Sequence, residues 1–349
     1  MAIFILTNRK VESAGGRERI QVDGSAPVQT NLRIARMREG LKDYDLLPDL
    51  GGNAAVVRAA EELARGTAVS GGGSAQMLGE LYRAMTADAA KQDVLFFIHG
   101  FQYDFADNLE HIRQLHRLYL APKTSPLGHI VYFSWPGNGA MTQYRDDQLD
   151  ARESGRQLAR MFDRVRLFFA AAFGRNGLRL CGNRIHLAAH SMGNQVLEEF
   201  FACMPEDPGV QLFTEALLLN ADADATAFEP GGKLAKVHHY AHRTSIYIHR
   251  GDSALDISSL TKNSRRRLGK RGPSNPDRLP SETFVIDTSA VPADKGTTVK
   301  ERFVDHWGYL FRQGVIADIH ATLRGEDEDD IARRRKQPDL PAWFTIQPR

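Results

Sequence analysis

Short runs of nearly unbroken apolar residues constrain this chain more than anything else in it. They cover Asp93–Ile98, His129–Phe133, Ile185–Ala188, Leu212–Leu219, Thr244–His249 and Thr283–Ile286. A strand that is apolar on both faces must be covered on both, as in a parallel sheet lying between helices. Segments of helical pattern separate the runs: Ala54–Ala64, Ala75–Ala90, Ala106–Leu118, Asp147–Ala172, the stretch behind Ser191, and His306–Leu323. Strand and helix therefore alternate. The fold expected is α/β, a mostly parallel central sheet with helices on both faces.

The opening run, Ile3–Leu6, is too short for a signal sequence and has no basic leader, so it reads as a first strand. The polar, Gly-rich region to Gly24 has no clear period, and a short strand is expected over Gln29–Ile34. One domain is expected over 1–325, with a lead-in over 1–92 and a core over 93–325. The charged run Glu326–Asp330 and the basic run Arg333–Lys336 suggest a solvated tail over 326–349.

Lys and Arg total 45 against 43 Asp and Glu, a balance that calls for neither nucleic acid nor an anionic surface. The apolar stretch Leu167–Phe173 is too short to cross a bilayer, so no integral membrane association is expected. Two cysteines, Cys181 and Cys203, make no disulfide framework; buried, reduced thiols and a cytoplasmic location are expected. Arg265, Arg266, Arg267, Lys270 and Arg271 read as a basic surface loop, or as a contact for anionic phospholipid. No pattern sets an oligomeric state.

The polar residues fall where the strands end, which is where parallel sheets bind ligands. They include His99-Gly100, Ser134-Trp135, Ser191, Asp222 with Asp224, and Asp252. Ala189-x-Ser191-x-Gly193 lies between an apolar strand and a helix carrying Val196, Leu197, Phe200 and Phe201. Small residues around a serine suit a strained strand-to-helix turn that exposes its hydroxyl; the plainer reading is a helix cap. A serine nucleophile needs a base and an acid in the chain order Ser, Asp, His. His306 is best placed as base. Asp252 is preferred as acid, with Asp222 and Asp224 as alternatives. The amides of Met192 and Phe101 would form an oxyanion hole, and Tyr103, Trp135 and Trp307 would line an acyl pocket. His238, His239 and His242 lack a completing ligand, so no metal is expected.

With these residues in view, the chain resembles the α/β-hydrolase superfamily and, within it, the bacterial serine hydrolases grouped as DUF900. The resemblance runs from about Leu6 to Gly325. It is carried by Leu6-Thr7-Asn8-Arg9, Phe97-Ile98-His99-Gly100-Phe101, Phe133-Ser134-Trp135-Pro136-Gly137 and Ala189-His190-Ser191-Met192-Gly193-Asn194. It continues through Asn220-Ala221-Asp222-Ala223-Asp224, Arg250-Gly251-Asp252-Ser253-Ala254-Leu255 and Asp305-His306-Trp307-Gly308-Tyr309. It implies Ser191 as nucleophile, Asp252 as acid and His306 as base. Asn220-Ala221 stands where a proline is frequent before the aspartate, and Trp307 where a smaller residue is. The activity expected is hydrolysis of a small-molecule or lipid acyl ester without a cofactor. The same residues would serve an amidase, thioesterase or phospholipase, and the fold alone would serve a catalytically silent binding protein.

Overall fold

A computed structural model describes the chain except for residues 49–51, 88–91, 102, 138–143, 177, 179–181, 210, 257–265, 295–304 and 349. Its contacts divide into two units, one formed by residues 1–113 and 127–184 and the other by 114–126 and 185–349.

In the first unit β1 (Ala2–Thr7) is followed by the hairpin β2 (Val11–Ala14) and β3 (Arg17–Ile20), then β4 (Arg33–Met37) and β5 (Tyr44–Leu46). Helices α1 (Asn53–Ala64) and α2 (Gly73–Thr86) lead to β6 (Asp93–Ile98), α3 (Phe105–Leu115), β7 (Leu127–Ser134) and α4 (Tyr144–Phe169). The sheet order is β6-β7-β1-β4-β5. β7 pairs in parallel with β6 and β1, and β4 is antiparallel to β1 and β5. All six residues of β6 are buried. Neighbouring side chains on a strand point to opposite faces. Phe96 accordingly meets Phe162 of α4 at 5.7 Å, while Phe97 meets His111 of α3 at 5.0 Å. A helix thus covers each face of this strand, as its apolar sequence requires.

In the second unit β8 (Ile185–His190), α5 (Gly193–Cys203), β9 (Phe213–Leu219), β10 (Ala241–Ile248) and β11 (Thr283–Asp287) follow in chain order. Two helices, Gly308–Phe311 and Gln313–Arg324, precede β12 (Arg334–Gln337) and β13 (Leu340–Ile346). The order is β12-β13-β11-β10-β9-β8, parallel throughout except for the outermost strand β12. No helix among the described residues is long and apolar enough to cross a membrane.

Several expectations are corrected. The strand placed at Gln29–Ile34 lies at Arg33–Met37, and the Gly-rich lead-in forms a hairpin around Gly15 and Gly16. The single C-terminal helix is two, because Arg312 takes an extended conformation between them. The charged tail is not a solvated appendage. Trp343, Phe344 and Ile346 are buried in β13, and Arg334 forms a buried bidentate pair with Asp318 at 2.8 Å. Within the basic run, Arg267 is wholly buried and Leu268–Arg271 is helical; residue 265 lies outside the described residues. Cys203 is a free, exposed thiol rather than a buried one, and position 181 is outside the described residues.

Candidate active site

The turn after β8 carries the local signature its sequence suggests. Ser191 has φ 52°, in the left-handed region that side chains other than glycine rarely occupy. Its neighbours hold it there. Ser191 N–H donates to Leu219 O at 3.0 Å, and Ser191 O accepts from Asp222 N at 3.1 Å. The Asn194 amide donates to Ala189 O and Ser191 O at 3.0 and 3.1 Å. The cap reading fails, because Met192 occupies the cap position of α5 and no side chain caps it. Among the described residues neither Ser191 Oγ nor the Met192 N–H makes a hydrogen bond. That amide stands at the positive end of α5, where it can receive negative charge.

His306 and Asp252 meet in the same unit. His306 Nδ1 lies 2.7 Å from Asp252 Oδ2. Asp252 Oδ2 also accepts from Asn220 Nδ2 at 2.8 Å, and Oδ1 from the amides of Ala254 and Leu255 at 3.0 and 3.3 Å. Asp252 is fully buried. Burial pushes its carboxyl upward, but the His306 charge and hydrogen bond, with the Asn220 and Leu255 donors, outweigh it and hold it below its ordinary value. An ionised carboxylate can only accept, so the imidazole proton sits on Nδ1 and a neutral ring leaves a lone pair on Nε2. Asp252 is therefore both the cap of the turn beyond it and the partner of His306.

The elbow and this pair are stitched together through their neighbours. His190, next to Ser191, places Nε2 at 2.9 Å from the His306 carbonyl oxygen, and the two rings lie 4.7 Å apart. Leu219 receives the Ser191 amide, and the next residue, Asn220, donates to Asp252. Asp222 and Asp224 face elsewhere. Asp222 accepts from Gln195 Nε2 at 3.0 Å and lies 3.3 Å from Arg267 Nε, while Asp224 pairs with Arg267 at 2.7 Å.

Trp307 is half-buried beside His306, with ring centroids 6.1 Å apart. Phe101, Tyr103 and Trp135 belong to the first unit. Phe101 is half-buried and meets Tyr144 edge-on at 5.5 Å; Tyr103 packs 5.5 Å from the His99 ring. Trp135 is fully buried, stacked on His99 at 5.1 Å, with its ring N–H donating to His99 O. It is core in this structure. His99 is fully buried; desolvation, with Arg9 nearby, drives its pKa well below the ordinary value and keeps the ring neutral.

Sequence reasoning passed over three residues. His190 enters the sequence only as the neighbour of Ser191, yet a side chain directed away from the serine's is what reaches the His306 backbone. Asn220 enters the sequence only with Ala221, at the place where a proline is frequent before Asp222; an asparagine ending a strand, a residue that tolerates φ > 0, is the available signal. Arg9 is 1 % exposed and ties the first unit's loops, donating to Ser134 Oγ at 3.1 Å and Tyr103 O at 2.7 Å. Its burial lowers the guanidinium pKa to about 10.

A family model described as an alpha/beta hydrolase of unknown function (DUF900) matches residues 79–296. Ser191 and Asp252 lie inside that range and His306 beyond it. No curated protein matches. Among solved structures the chain is similar to phospholipase PlaB from Legionella pneumophila, alone and in complex with thio-NAD. Both comparisons have 12% identity and a TM-score of 0.22, covering 62% of this chain and 42% and 41% of the other. The chain spans about two fifths of that protein's length, and a likeness so slight bears on neither fold nor activity here.

Proposed function

The chain belongs to DUF900, a family of α/β hydrolases, and from the chemistry of its site we propose that it is a serine hydrolase cleaving an acyl ester. One observation supports this above the rest. A serine strained to φ 52° at a strand-to-helix turn adjoins His190, whose ring reaches the His306 carbonyl, while His306 is paired through Nδ1 with a buried carboxylate. Strain of this kind costs roughly 1–3 kcal/mol and persists where surrounding structure enforces it.

In this reading Ser191 Oγ attacks the ester carbonyl as His306 Nε2 takes its proton. Asp252 stabilises the imidazolium. The carbonyl oxygen, now negative, is stabilised by the Met192 N–H, a contribution typically worth ~3 kcal/mol per donor. His306 returns the proton to the departing alkoxide, which leaves as the alcohol and gives the acyl-enzyme. Water, deprotonated by His306, attacks the acyl carbon; as the second tetrahedral species collapses, His306 returns the proton to Ser191 Oγ, the ester bond breaks and the acid is freed. No step calls for a metal or a cofactor.

The test is labelling with a fluorophosphonate probe. Wild type should take one label, mass spectrometry should map it to Ser191, and Ser191→Ala should take none. A panel of short- and long-chain esters, amides and thioesters then ranks substrates. Folded wild-type protein that takes no label would overturn the proposal and favour a binding role for the fold.

A further inference from the structure

Asn220 follows β9 with φ 45°, a conformation that asparagine tolerates better than most residues. It is held from both sides. Its own N–H donates to Tyr247 O at 3.0 Å. Gly269 lies so close that a Cβ there would stand 2.2 Å from the Asn220 carbonyl carbon and the Ala221 nitrogen. Gly269 N–H donates to Ala221 O, and Gly269 O accepts from His249 N. The side chain fixed in this way donates to Asp252 Oδ2 at 2.8 Å and to the Asp305 carbonyl at 3.1 Å. Oδ2 is the oxygen that faces His306 Nδ1, and Asp305 is the residue before His306.

We infer that Asn220 is a positioning residue for the Asp252–His306 pair, orienting the carboxylate, sharing its charge and tethering the peptide that leads into His306. This rests on the serine-hydrolase reading. A carboxylate oxygen with two donors divides its negative charge between them. If the Asn220 donor is lost, more of that charge falls on His306, and the imidazolium forms at a higher pH, before the serine attacks. An imidazolium cannot take the Ser191 proton.

Other groups face the pair. The His190 ring lies 4.7 Å from that of His306. Asp305 is paired with Arg312 and lies 3.6 Å from His249. Lys270 donates to the Asp252 carbonyl at 3.0 Å and to Asp256 at 2.6 Å. A change confined to position 220 leaves all of these in place.

The experiment follows the second-order rate of fluorophosphonate labelling between about pH 5 and 9, the range in which a histidine base titrates. It compares wild type with Asn220→Gly, which accepts a left-handed backbone, and Asn220→Ala, both of which remove the donor. The midpoint of the acid limb should move up by about half a unit in either variant, read as roughly threefold slower labelling on that limb. A merely structural role would lower the plateau without moving the midpoint, and that result overturns the inference while leaving the labelled serine in place. Folded wild type that takes no label overturns the serine-hydrolase reading, and this inference with it. If Asn220→Gly does not fold, Asn220→Ala, which removes the same donor, carries the test.

Discussion

Replacing Asp252 by asparagine keeps the volume and removes the charge, and the surrounding donors dictate how the new amide sits. Oδ1 receives two backbone N–H groups, at 3.0 and 3.3 Å, so the amide oxygen of the variant is drawn to that side. Its NH2 then faces His306 Nδ1 and the Asn220 amide, at the 2.7 and 2.8 Å positions that Oδ2 served. A donor opposite Nδ1 makes that nitrogen an acceptor and sends the imidazole proton to Nε2. The base can then no longer receive the Ser191 proton. A wrong tautomer of this kind lowers the rate about 10⁴-fold in a Ser-His-Asp triad, which is about 5 kcal/mol of barrier. Two donors facing each other in a buried site also cost ~1–3 kcal/mol of stability, read by urea unfolding. The assay is the second-order labelling rate of Asp252→Asn beside Asp222→Asn. Asp222 is held by Gln195 and Arg267, so its variant should lose stability while its folded fraction labels at close to the wild-type rate. Labelling of Asp252→Asn within about tenfold of wild type would refute the argument, and the reverse pattern would transfer the acid's role to Asp222.

Three further outcomes are expected. Arg334 and Asp318 are both buried and bonded bidentately, with Thr322 Oγ1 accepting from Arg334 at 2.7 Å. Arg334→Met should therefore cost ~3–5 kcal/mol in urea unfolding, and adding Asp318→Leu should recover most of it; no recovery would show that the pair is not the cause. Ser191→Gly should be more stable than Ser191→Ala by ~1 kcal/mol, since glycine accepts φ 52° without strain, and equal stabilities would argue against a strained turn. His111 is fully buried, and desolvation lowers its pKa from 6.5 to about 3. The unfolded chain then binds the proton more readily, so this stability is complete above about pH 6.5 and declines as the pH falls toward 3, at about 1.4 kcal/mol per pH unit. Urea unfolding at stepped pH should give a slope smaller in His111→Gln than in wild type by about that amount, and equal slopes would remove His111 as a source.

What the sequence by itself determined was the alternation and the chemistry carried at strand ends. Unbroken apolar runs such as Val94–Ile98 can be satisfied only by cover on both faces, and Ala189-x-Ser191-x-Gly193 permits a tight turn whatever lies elsewhere. These are local facts, set by side-chain size and the two-residue period of a strand. Tertiary structure alone decided which aspartate stands beside His306, because Asp222, Asp224 and Asp252 all end strands and only packing directs their carboxylates. It decided that Arg267, read as a surface charge, is buried between two of those aspartates. It also decided that a charged tail becomes strands. Arg334 reads as solvated until Asp318, sixteen residues earlier, supplies the bidentate partner that makes its burial tolerable. A charge is exposed or buried according to what faces it, and the partner's position is a property of the folded chain.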